Sequence, residues 1–120
     1  MISVEAEPIH KLVRARMSGL LTLAEVQAFG EAEQAAARAM GLRSGEFLLL
    51  LDTAGDTVQT QEVMLAFRDL MTSSPLKARR IAVVRAGALT GIQSRRFANI
   101  RSSYQVFSNV RDAEAWLLAA

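Results

Sequence analysis

Two short stretches constrain this chain more than any others: Phe47-Leu48-Leu49-Leu50-Leu51 and Ile81-Ala82-Val83-Val84. Successive side chains of a strand point to opposite faces, so a run that is apolar at every position must hide both faces from water. Strands of this kind sit in the middle of a parallel sheet with cover on each side. The segment between the two runs can hold a helix and two loops, the crossover that parallel neighbours require. Its helix is written from near Thr60 to Met71, with Val63, Met64, Phe67, Leu70 and Met71 on the inner face and Ser73-Ser74-Pro75 as a stop.

The flanks extend the pattern. Ile2 to Ala6 reads as a strand, Glu7-Pro8 as a turn, and Ile9 to Met17 as a second strand with Lys11, Val13, Ala15 and Met17 on one face. Its other face carries Leu12, Arg14 and Arg16 and is expected to be wet or to lie in a partner interface, which permits a homodimer through the hairpin. Thr22-Leu23-Ala24-Glu25 is a capping box. The helix it opens runs through Val26, Phe29, Ala36 and Met40 to Gly41, which can take the left-handed conformation that ends a helix. Gly30 inside it costs about 1 kcal/mol relative to Ala and implies the close approach of a neighbour.

Further along, residues 86–91 (AGALTG) lead into a third helix from about Thr90, with Ile92, Phe97 and Ile100 as its apolar contacts. Tyr104 to Phe107 reads as the last strand. Ser108-Asn109 then caps a closing helix that carries Val110, Ala113, Trp116 and Leu117, with Tyr104 and Trp116 expected in the core. The order is β-β-α-β-α-β-α-β-α. It describes an α/β fold in a single domain, residues 1–120: a β-hairpin followed by alternating α/β units, with a mostly parallel five-stranded sheet and about four helices.

Composition excludes more than it assigns. The chain is 51% apolar and 22% charged, an ordinary globular balance. Having no cysteine, it can form no disulfide, thiolate metal site or cysteine nucleophile. His10 is the only histidine, so the usual triads and zinc sites lack a second one. Turn chemistry explains Asp52 and Asp56 as well as a weak Mg²⁺ site would. No catalytic residue, metal or cofactor is assigned, and an enzyme is not expected. The N-terminus MISVEAEPIHK lacks the basic start and long apolar core of a signal peptide, and no run is long enough to span a bilayer. A cytoplasmic location is expected.

The net charge of +2 conceals an asymmetry. Residues 1–69 hold six basic and ten acidic side chains, whereas residues 70–111 hold eight basic ones and no acid. Most of the basic residues are arginine, the side chain suited to bidentate contact with phosphate or carboxylate. No nucleic-acid motif accompanies them, so nucleic acid is not the expected partner.

Asp52-Thr53-Ala54-Gly55 follows the first apolar run with the letters of a GTPase metal turn. A GTPase also needs a GxxxxGK[ST] loop, because backbone amides and a lysine must cradle the phosphates. None is present, and Lys11 and Lys77 are the only lysines.

Taken together, the opening hairpin, MSGLLTLAEV, FLLLLD, ARRIAVV and the closing YQVFSNVRDAEAWL resemble the STAS-like proteins, and more closely the SpoIIAA-like group named after an anti-sigma factor antagonist. The resemblance covers essentially the full chain and is most specific at its end. It implies a regulatory or binding module with a protein partner. It also implies an Asp-Ser-x-Gly phospho-acceptor, which falls on Thr53 by its letters and on Thr57 or Thr60 by its position at a helix mouth. The related CRAL-TRIO fold holds lipids between sheet and helices, so an apolar ligand lined by the first two helices is the alternative.

Ligands of open parallel sheets sit beyond the carboxyl ends of the strands. There the chain places Thr57 and Thr60 after one apolar run and Arg85, Gly87, Thr90 and Gly91 after the other, with Arg95 and Arg96 one turn further in. Free amides and guanidinium groups make this a candidate site for a protein partner or a small anionic ligand.

Overall fold

The computed structural model describes residues 1–53, 58–85 and 103–119. These form β1 (Ile2–Glu7), β2 (Leu12–Met17), α1 (Leu23–Ala39), β3 (Leu48–Thr53), α2 (Gln61–Ser73), β4 (Arg80–Arg85), β5 (Tyr104–Phe107) and α3 (Val110–Leu118). The strands lie in the order β1-β2-β3-β4-β5, with β1 antiparallel to β2 and every other pair parallel. The two apolar runs are neighbours, Leu49 beside Ile81 and Leu51 beside Val83. This is the expected α/β architecture. The described residues hold three α-helices rather than about four, and the helix expected from Thr90 lies outside them.

Burial on both faces gives two cores. On one, Val13, Ala15, Leu49, Leu51, Ile81 and Val83 meet Val26 and Phe29 of α1 and Val63 and Phe67 of α2. On the other, Leu12, Leu48, Leu50, Ala82 and Val84 are covered by Ala113 and Leu117 of α3. The capping box opens α1 as read: the Thr22 hydroxyl accepts from the Glu25 amide, and the Thr22 amide donates to the Glu25 carboxylate, each at 3.1 Å. The close neighbour that Gly30 implied is Leu70 of α2, whose Cδ2 would lie 2.7 Å from a Cβ at residue 30. Nearby, the buried Gln34 amide donates to the Leu76 carbonyl and accepts from the Leu76 N–H, both at 2.9 Å.

Three local expectations change. Pro8–His10 forms a 3-10 turn and Lys11 follows at φ 53°, so β2 begins at Leu12 rather than Ile9, which is 93% exposed. Proline's fixed φ and missing donor favour the turn over an early strand. The outer face of β2 is wet only at Arg16. Leu12 is buried beneath α3, and Arg14 donates from Nε to Glu7 at 2.6 Å and from Nη2 to Glu114 of α3 at 2.7 Å. The third change is at Trp116, which is half-buried at the rim of the second core rather than inside it. The Arg80 guanidinium lies 4.7 Å from its ring centroid and donates to its carbonyl at 2.7 Å.

Arg14 hydrogen-bonds Glu7 and holds its carboxyl below the ordinary glutamate value, against an opposing push from burial. Folded Glu7 therefore stays ionised to lower pH than unfolded Glu7. Its contribution to stability is full above the ordinary range and fades as pH falls through the depressed folded value. Urea midpoints taken from neutral to acid pH should fall more steeply in the parent than in Glu7→Gln, which lacks this titration.

At the helix contact, Gly30→Val should cost roughly 1–3 kcal/mol by overpacking. The double variant Gly30→Val/Leu70→Ala should lose less than the sum of the single losses, because the two sites touch.

Candidate functional site

The carboxyl ends of β2, β3 and β4 form one edge, and the chain leaves it toward α1 and α2. β3 and β4 continue past their apolar runs, because main-chain pairing asks nothing of the side chains: Thr53 still pairs with Arg85. The Thr53 hydroxyl donates to the Val84 carbonyl at 2.6 Å and stitches the two strand ends together. By alternation Thr53 and Arg85 face α1 and α2, Asp52 faces the side of α3, and all three are half-buried.

Gln59 organises the neighbouring loops. Its carbonyl oxygen accepts from the Leu21 N–H at 2.8 Å, and its amide donates to the Gly19 carbonyl at 3.0 Å. One side chain thus ties the turn ahead of α1 to the segment ahead of α2. Thr60 follows as the cap of α2, its hydroxyl accepting from the Val63 N–H at 3.2 Å. The first turn of α2 retains amides without helical partners and carries the positive end of the helix dipole. Beside these loops Leu20, Leu23 and Val58 are exposed at 60%, 46% and 40%.

Of the candidate residues, the structure brings Thr53, Thr60 and Arg85 to one edge. Thr57, Gly87, Thr90, Gly91, Arg95 and Arg96 lie outside the described residues. Gln59 was missed by sequence reasoning, since a glutamine in a loop has no signature and its partners are some forty residues away. His10 is exposed on the 3-10 turn. Among the described residues no three His, Cys, Asp or Glu side chains cluster as a metal site would need, and no helix is long and apolar enough to cross a membrane.

At the opposite end of the sheet, Glu33, Leu70, Met71, Ser74, Lys77 and Ile81 line a cleft of about 10 Å³. That is room for a single water, against roughly 300 Å³ or more for a pocket that encloses a small ligand. Between sheet and helices, Phe29, Phe47, Leu49, Val63, Phe67 and Ile81 fill the described core.

No family model matches the chain, and no curated protein matches it. Among solved structures it is similar to an uncharacterised protein of the DUF3478 family with a SpoIIAA-like fold from Shewanella loihica PV-4. The TM-score is 0.73 at 20% identity, over 98% of this chain and 92% of that one. At that identity the likeness speaks to the fold alone, and the fold of this chain is SpoIIAA-like.

Removing the cap with Thr60→Ala should cost about 1 kcal/mol in urea unfolding, whereas Thr60→Ser should keep most of that stability because the acceptor oxygen remains.

Proposed function

We propose that the chain is a non-catalytic regulatory or binding module that recognises a protein partner or a small anionic ligand along the carboxyl edge of its central strands. The observation that carries this reading is the order of the sheet. β2, β3 and β4 succeed one another in space as they do in sequence, and α1 and α2 pack together on one face. Winding in one direction creates no switch point between these strands. The chain passes from β2 to α1 and from β3 to α2 on the same face, so no crevice of the kind that holds nucleotide-sized ligands opens between these two strand ends. The edge is instead a rim, suited to contact with another surface.

The chemistry of that rim is mixed. Leu20, Leu23 and Val58 offer apolar area, while Arg85 and the amides of α2 favour a carboxylate or phosphate. Phosphorylation of Thr60, the cap of α2, would set about two negative charges at the start of that helix, where they are electrostatically favoured, and Thr57 precedes it by three residues in sequence. Thr53 would first have to release Val84.

An affinity pull-down from the native host, run with and without phosphatase, should recover a partner whose yield changes in Thr57→Glu or Thr60→Glu. Titration with inorganic phosphate should move the amide resonances of Thr60 to Val63 in the parent and less so in Arg85→Ala. The reading fails if the combined Arg85→Ala, Arg95→Ala and Arg96→Ala variant keeps every anion and partner interaction at parental strength.

A further inference from the structure

β1 is an edge strand, and its hydrogen bonding fixes which of its groups face outward. The Met1 amine donates to the Ser18 carbonyl at 2.6 Å, and the Ser18 N–H donates back to the Met1 carbonyl at 2.9 Å. Bonded and non-bonded pairs alternate along an antiparallel ladder. Ser3, Glu5 and Glu7, opposite Arg16, Arg14 and Leu12, therefore bond inward to β2. Ile2, Val4 and Ala6 aim their N–H and C=O groups away from the sheet, and among the described residues nothing meets them.

The side chains of this edge are also unfinished. Ile2 and Val4 lean on the α1 core, while Ser3 and Glu5 stand exposed on the other face. Glu5 lies opposite Arg14, yet Arg14 is occupied by Glu7 and Glu114. Among the described residues neither Glu5 nor the exposed Arg16 makes a side-chain hydrogen bond or ion pair.

We propose that β1 pairs with β1 of a second copy of this chain, antiparallel about a two-fold axis at Val4, so that two sheets become one. Outward-facing positions must meet each other, which sets Val4 opposite the partner's Val4 and Ile2 opposite the partner's Ala6. Three bonded pairs give about six main-chain hydrogen bonds. On the exposed face Ser3 comes opposite the partner's Glu5. Arg16, next in the same row, reaches over the small Ser3 side chain to that carboxylate, and symmetry repeats the contact. Natural edges are often blunted by charge. Here Glu5 acts as a register mark: slipping the pairing one way sets it against the partner's Glu5, which like charges disfavour, and slipping the other way loses pairs. The edge is complementary to itself, as a two-fold dimer requires.

Sedimentation of the full chain over a wide concentration range should show a monomer–dimer equilibrium. Ser3→Glu, which sets two carboxylates face to face, should weaken association roughly tenfold. Ser3→Glu with Glu5→Lys should restore it, because opposite charges then stand directly opposite each other across the two-fold. Hydrogen exchange on the parent needs no variant to fold: the Val4 amide should slow as concentration rises, while that of Glu5 is protected throughout. A parent that stays monomeric with a freely exchanging Val4 amide overturns the proposal, as does a dimer indifferent to Ser3→Glu. Protection of Val4 that appears only when another protein is added would assign the edge to a foreign strand, and it too would overturn the proposal.

Discussion

The parallel pairing of β3 with β4 is the constraint from which the rest of the molecule follows. Leu48 to Leu51 and Ile81 to Val84 are buried whichever face they point to. A strand pair of that kind cannot be stable with one face in water, so the chain must supply two covers. α1 and α2 provide one and α3 the other. Because α1 and α2 are the crossovers that parallel strands demand, β2 and β3 both end at the edge from which these helices set out. The location of the rim is thus a by-product of how the core is closed.

Polar side chains fix how those covers sit. Arg14 reaches from β2 to Glu114 of α3, a contact spanning 100 residues of sequence, while its other bond holds Glu7 on β1. A guanidinium, whose Nε and Nη donors are held in a fixed planar fork, can satisfy two carboxylates from different elements at once. Lys77 performs a smaller version of this task, donating to the Thr72 carbonyl at 3.0 Å where α2 runs out of partners. Such bonds add modestly to stability and more to the uniqueness of the arrangement.

What could be read from the chain alone was local or periodic. The capping box at Thr22, the Thr60 cap and the Asn109 cap, which accepts from the Asp112 amide at 2.8 Å, are written within four residues each. The two apolar runs announce double burial by composition, and Gly30 announces a tight contact without naming Leu70. Periodicity failed on the outer face of β2, where Arg14 looks like a solvent residue because nothing nearby says that a helix from the far end of the chain will lie over it. It failed again at Pro8, where one ring outweighs an alternating pattern. Within the candidate rim, Thr60 and Arg85 were legible as cap and strand end. The latch made by Gln59 was not, since its meaning exists only once Gly19 and Leu21 have been brought beside it.

The contacts between α1 and α2 have a mechanical consequence. Gln59 fastens their leading ends, Gly30 and Leu70 interlock midway, and Gln34 grips Leu76 just past the trailing end. Fastened at three places along their length, the two helices can tilt or slide over the sheet only as one plate. A push delivered near Gln59 would then be felt at Leu76 with little lost to bending in between.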